Sequence, residues 1–72
     1  MHKKVFMDIA NIIGLSKIKW LIMAVKMPNG EFEIISNSHG IEDKIAYYEK
    51  AYDDEMRLKT CPDIHIVDFI IL

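Results

Sequence analysis

The clearest hydrophobic pattern lies between residues 40 and 59. Its apolar positions repeat every three or four residues, at Ile41, Ile45, Tyr48, Tyr52 and Met56. This spacing predicts a long amphipathic helix with one buried stripe. Acidic residues in the first turn and basic residues in the last turn match the helix dipole, with Glu42 and Asp43 at the start and Arg57 and Lys59 at the end. Asn37 or Ser38 is placed to begin the helix, and Cys61-Pro62 to end it.

A second, shorter helical pattern lies near the N-terminus. Val5, Ile9, Ile12 and Ile13 form a stripe that ends at Gly14. About two turns of helix are marginal without tertiary contacts. The stripe predicts a short helix that depends on packing against the rest of the chain.

Two apolar segments, residues 18–27 and 31–36, flank Pro28-Asn29-Gly30, which predicts a β-hairpin. We favour the register that sets Val25 opposite Ile34 and Lys26 opposite Glu33, because it separates apolar from charged faces. The alternative, a three-residue loop, sets Val25 opposite Glu33 and mixes the faces.

Residues 64–71 are typical of a last strand. A right-handed crossover then places this strand beside the first strand, in the order 2-1-3. The sequence therefore predicts a single α+β domain over residues 1–72. It has a three-stranded sheet in ββαβ order, a short N-terminal helix, and one long helix packed on one sheet face.

The second face of this sheet is predicted to be too apolar to remain in water. Most small oligomers have two-fold symmetry, so we expect a homodimer that covers this face. The residues assigned to the interface are Ile18, Trp20, Ile22, Ile66, Ile70 and Leu72. The alternative is a monomer in which the N-terminal helix covers the face.

Composition narrows the class of protein further. The chain is 51% hydrophobic and 28% charged, which is ordinary for a globular domain. A single cysteine excludes a disulfide framework within one chain and fits a reducing compartment. No apolar segment approaches the roughly 20 residues that cross a bilayer, so we expect a soluble, cytoplasmic protein without a membrane partner.

Charge is distributed unevenly along the chain. Residues 1–26 carry a net charge of +4 and residues 27–72 a net charge of −6. The basic segment suggests an alternative function, weak nucleic-acid binding through Lys3, Lys4, Lys17 and Lys19. The overall charge of −2 disfavours it, because affinity for phosphate backbones is chiefly electrostatic.

The strongest candidate for chemistry is the alternating trio Cys61, Asp63 and His65, whose side chains project to one side of an extended chain. These types can bind zinc or iron, and a Cys with a His can form a nucleophilic pair. However, Pro62 interrupts the trio and no second ligand pair exists. We expect no enzyme activity, no metal and no cofactor.

Two segments, WLIMAVKMPNGEFEIISN and IEDKIAYYEKAYDDEMRLK, together with the order of elements, resemble a known family. The chain is similar over its whole length to the small prophage-encoded Bacillus proteins of the YopT type, which are unrelated to the Yersinia protease of that name. The resemblance implies a homodimer with three strands and one helix per subunit. It implies no activity and no site residue.

These observations favour an accessory protein of phage or prophage origin without enzyme activity. Such a protein would act by binding, as a homodimer, with a host protein as its further partner.

Overall fold

The computed structural model describes residues 2–72 of the chain. The helices and strands, in chain order, are α1 (His2–Ile13), β1 (Leu21–Lys26), β2 (Phe32–Asn37), α2 (Ile41–Ala51), β3 (Arg57–Leu58) and β4 (Cys61–Ile71). A short 3-10 helix, Leu15–Lys17, connects α1 to β1. The fold is α+β, as the sequence predicts.

The sheet has four strands in the order β2-β1-β4-β3, and all neighbouring strands are antiparallel. The predicted arrangement of the three long strands, with β1 in the centre and the last strand beside it, is confirmed. The prediction of three strands is wrong by one. The additional strand, β3, contains only Arg57 and Leu58 and pairs with the beginning of β4.

The core lies between the two helices and one face of the sheet. Fully buried side chains of β1 and β4, including Leu21, Met23 and Ile66, belong to the same apolar cluster as Phe6 of α1 and Ile45 of α2. Both helices therefore cover the same face of the sheet.

Helix α1 is present as predicted, but its apolar stripe was assigned to the wrong side. Phe6 and Ala10 are fully buried, whereas Val5, Ile9 and Ile12 are exposed. Phe6 packs edge-on against Phe69 of β4, with ring centroids 5.1 Å apart, and against Tyr48 of α2. These contacts of one large aromatic side chain decide which face of the helix is buried, and the sequence period alone does not reveal them.

Helix α2 ends at Ala51, eight residues before the predicted end. The Asp53 carboxylate accepts hydrogen bonds from the backbone N–H groups of Glu55 and Arg57, both at 2.9 Å, which stabilises a turn instead of further helix. Met56 follows with a left-handed φ of 63°. Tyr52 and Met56 are nevertheless buried, so the predicted apolar stripe does reach the core.

The predicted caps of α2 are also corrected. Gly40 precedes the helix with a φ of 62°, and no side-chain hydrogen bond caps the helix. Pro62, expected to lie outside regular structure, is in β4. It is tolerated there because β1 pairs with β4 only from His65 onward, so the first residues of β4 have a neighbouring strand on one side only.

The predicted hairpin register is wrong by one residue. Val25 lies opposite Glu33 and Lys26 opposite Phe32, which is the register that the sequence argument rejected. The loop is a three-residue turn: Gly30 N–H donates to the Met27 carbonyl at 2.9 Å, and Gly30 has a φ of 86°. This is the common turn in which a glycine in the left-handed region forms a bulge.

Candidate interaction surface

The sheet face opposite the helices is uncovered, and we call it the open face. Antiparallel pairing places directly opposite residues on the same face. On this basis the apolar members of the open face are Trp20, Ile22, Ala24, Phe32, Ile34, Ile70 and Leu72. Its polar members are Lys26, Ser36, Arg57, His65 and Asp68.

Large apolar side chains of the open face are strongly exposed. Ile34 is 68% exposed, Phe32 62%, Leu72 60%, Ile70 53% and Trp20 45%. A shallow depression of about 210 Å³ lies between β2 and β4 and is lined by Ile22, Ala24, Ile34, Asp68, Phe69 and Ile70. The face is therefore a continuous apolar surface across three strands, with one carboxylate near its middle.

Four of the six predicted interface residues lie on the open face: Trp20, Ile22, Ile70 and Leu72. The other two, Ile18 and Ile66, are buried in the core. Ile66 was assigned to the wrong face because the pairing of β1 with β4 shifts register between Ala24 and Val25, where β4 contains one extra residue. Such a bulge reverses the sides of all residues beyond it, and nothing in the sequence period indicates it.

The predicted register sets Ile34 opposite Val25, and thereby puts Phe32 and Ile34 on the core face with Val25, whereas the structure places both on the open face. The signal that could have located them is the loop itself. Proline as the second residue of a four-residue turn and glycine as the fourth favour a type I turn that ends in a left-handed glycine. That loop contains three residues and sets the observed register.

A second exposed apolar patch lies on α1. Val5, Ile9 and Ile12 are 51%, 36% and 83% exposed and form a stripe along the outer side of the helix. It contains fewer large apolar side chains than the open face. Lys4 and Asp8 lie on the same exposed helix and form an ion pair at 2.7 Å.

The four lysines of the nucleic-acid alternative do not form one patch. The Lys3 ammonium donates to the Tyr52 carbonyl at 2.9 Å, and Lys4 is paired with Asp8. Lys17 and Lys19 are exposed, but they follow the other end of α1. The helical residues 5–13 lie between the two pairs, which is about 14 Å of helix at 1.5 Å per residue. Two of the four positive charges are thus occupied within the chain.

Cys61, Asp63 and His65 all lie in β4. His65 Nε2 lies 2.9 Å from the Glu55 carbonyl oxygen, and Cys61 is opposite Leu58. Within residues 2–72 no group of three His, Cys, Asp or Glu side chains is arranged to hold a metal ion. In the same part of the chain no helix has the length and apolar character needed to cross a membrane.

Three tyrosines cluster where α2 ends. Tyr48 and Tyr52 are buried, and Tyr47, which is half exposed, lies against both of their rings. Burial raises the pKa of Tyr48, and burial raises the pKa of Tyr52 to about 12. The hydroxyl groups of Tyr48 and Tyr52 are thereby kept neutral, as expected of a structural cluster that supports the end of α2.

No family model, curated protein or solved structure matches the chain.

Proposed function

We propose that the protein is a non-enzymatic protein-interaction module whose open face packs against the open face of a second copy. The observation that carries the proposal is the exposure of five large apolar side chains on one continuous sheet face. A sheet must bury its apolar face against another layer. Both helices already cover the opposite face, so neither can cover this one.

The area of the open face supports a second copy as its occupant. If a fully exposed large side chain presents roughly 150–250 Å², the five exposed side chains display about 500 Å² of apolar surface. This is near the upper end of the roughly 300–600 Å² typical of the largest patch on a monomer. With its polar rim, the face approaches the roughly 800 Å² per partner of a standard interface. A dimer of moderate affinity is the expected result.

Charge and shape also suit self-association. The open face carries Lys26 and Arg57 as cations and Asp68 as an anion, and Asp63 lies beside the two cations, so the formal charges balance and two copies do not repel each other through a net charge. Two antiparallel sheets pack face to face with their strands about 30° apart. A two-fold axis then brings the same residues of both copies together.

The resemblance to the YopT-type proteins supports a further part of the proposal, which concerns the origin and the partner of the protein. It is consistent with a homodimer of phage or prophage origin that acts on a host protein in the cytoplasm. In such a dimer α1 and the acidic surface of α2 remain accessible to that host protein.

A pair of matched substitutions tests the proposal. Ile34→Lys places a charge in the middle of the open face, and Ile12→Lys places the same charge on α1, where the side chain is even more exposed. Loss of about 100 Å² of apolar burial at ~25 cal/mol per Å² costs about 2.5 kcal/mol per copy. Ile34→Lys should therefore raise the dimer dissociation constant by about a hundredfold or more.

Light scattering across protein concentration gives the readout. We expect Ile34→Lys to have the monomer mass of 8.4 kDa at concentrations where the wild type and Ile12→Lys have twice that mass. A dimer that survives Ile34→Lys and dissociates with Ile12→Lys would assign the contact to α1 and overturn the proposal.

A further inference from the structure

Three basic side chains lie side by side across three strands. Lys26 of β1 is opposite His65 of β4, and His65 is opposite Arg57 of β3. Lys26 and Arg57 therefore lie on the two sides of the His65 ring. In residues 2–72 the one ion pair is Lys4–Asp8, so neither cation has a carboxylate at salt-bridge distance. The Asp53 carboxylate is close enough to offset part of the Arg57 charge: the hydrogen bond from the Arg57 backbone N–H and the charge of the Arg57 side chain lower the pKa of Asp53.

The same three side chains line a cavity of about 430 Å³. Its other walls are Asp63 and the hairpin turn at residues 27–30. The volume falls in the range of roughly 300–1,000 Å³ that is usual for small-molecule sites. Asp63 is the one acidic residue in the lining, against the two permanent cations Lys26 and Arg57, so the cavity carries a positive charge.

We propose that this cavity binds a small phosphate-bearing molecule of nucleotide size, with Lys26 and Arg57 holding its phosphate group. The arginine guanidinium presents its donors in a planar fork that matches phosphate oxygens, and the lysine ammonium adds a point charge. One phosphate group does not fill the cavity, and the hairpin turn supplies a wall for the rest of the molecule. Lys26 lies opposite Phe32, so the site borders the proposed dimer contact at the end of the open face next to the hairpin turn.

His65 lies between the two cations and forms part of the wall of the site. Its Nε2 lies 2.9 Å from the Glu55 carbonyl oxygen, which can only accept, so Nε2 carries the hydrogen and this hydrogen bond orients the ring.

The binding test is an NMR titration of the full chain with inorganic phosphate and with adenosine monophosphate, at an ionic strength held constant with sodium chloride. Saturable shifts of the backbone amides of Lys26, Arg57 and His65 are the expected result. The nucleotide should bind more tightly than inorganic phosphate. Equal affinities would overturn the assignment of a ligand larger than phosphate, and shifts no larger than those from chloride would overturn the site.

Four substitutions distinguish a specific binding site from general attraction between charges. Arg57→Gln and Lys26→Gln should each weaken binding by about three- to tenfold, since a charged hydrogen bond is lost at an exposed site. Lys44→Gln, which makes the same change of charge at an exposed position of α2, should leave the affinity unchanged. Asp63→Asn should tighten binding several-fold, a gain that misfolding cannot produce. Equal weakening by Lys44→Gln, or no gain from Asp63→Asn, would contradict the proposal.

Discussion

Phe6 is the side chain that attaches α1 to the rest of the molecule, and its removal should nearly unfold the protein. It is fully buried, with ring centroids 5.1 Å from Phe69 and 6.2 Å from Tyr48, both in edge-on arrangements. A buried Phe→Ala change costs about 3–5 kcal/mol, and each aromatic pair adds about 0.5–1.5 kcal/mol beyond its buried area. We therefore expect Phe6→Ala to cost about 4 kcal/mol or more.

That cost is large relative to the stability available. At about 0.05–0.15 kcal/mol per residue, a chain of 72 residues has a free energy of unfolding of about 4–11 kcal/mol. For a domain of this size 1 kcal/mol shifts the midpoint of thermal unfolding by about 4–8 °C. Phe6→Ala should thus lower the midpoint by about 15–30 °C, as followed by circular dichroism at a fixed protein concentration.

Val5→Ala is the matched control, because Val5 is the neighbouring residue of the same helix and is half exposed. Alanine has the higher helix propensity, so this change should be neutral or slightly stabilising. Equal midpoints for Phe6→Ala and Val5→Ala would refute the packing of α1 on the sheet. Only α2 would then cover the core face of the sheet, and α1 would be free to cover the open face, so the claim that the open face needs a second copy would fail.

Three further predictions concern the turn, the open face and the tyrosine cluster. The Cβ atom added by Gly30→Ala has no atom within 4 Å, but it belongs to a residue with a φ of 86°. Denaturant unfolding should therefore show a loss of about 1–2 kcal/mol in the free energy of unfolding. An unchanged denaturation midpoint would contradict the observed turn. Asp68→Ala removes a carboxylate that dimerisation would desolvate, so sedimentation equilibrium should show several-fold tighter association, whereas weaker association would place Asp68 outside the contact. Because the pKa of Tyr52 is raised from 10 to about 12, the folded state retains a proton that the unfolded state loses, and stability should fall as pH rises from 10 through 12. In urea titrations at these pH values Tyr52→Phe should lose less stability than the wild type. An identical loss of stability would mean that the Tyr52 hydroxyl is not buried.

The parts of the fold that could be predicted from sequence are those with a strong local period. The stripe from Ile41 to Met56 identified buried residues correctly, and the pairing of the long strands followed from element order and crossover handedness. The end of α2 could not be predicted from the stripe, because Tyr52 and Met56 are buried from a turn instead of a helix. The hydrogen bonds accepted by the Asp53 side chain decide that ending, and they compete directly with the helix.

The face of the sheet on which each strand residue lies was harder to predict, because a register shift of one residue moves every side chain to the opposite face. Two such shifts occur here, at the Gly30 turn and at the extra residue of β4 near Val67. The first moved Phe32 and Ile34 to the open face, and the second moved Ile66 into the core. The excess of apolar residues on a second face could still be predicted, since it depends on composition more than on register.

The position of Lys26, His65 and Arg57 side by side across three strands could not be predicted from the sequence. Arg57 joins Lys26 and His65 through β3, a two-residue strand in a segment whose period favours helix. β3 pairs with β4 across a two-residue turn, with Leu58 opposite Cys61. The turn residues Lys59 and Thr60 lack the Asn-Gly or Asp-Gly signal that would have predicted a hairpin there.

The most direct test of the central claim is an isotope-filtered NMR experiment on a mixture of labelled and unlabelled protein, which detects contacts between copies only. The proposed dimer predicts intermolecular contacts from the side chains of Trp20, Ile34 and Ile70 and none from Val5 or Ile12. Intermolecular contacts confined to α1, or their absence in a protein of monomer mass at millimolar concentration, would contradict the claim that the open face is covered by a second copy.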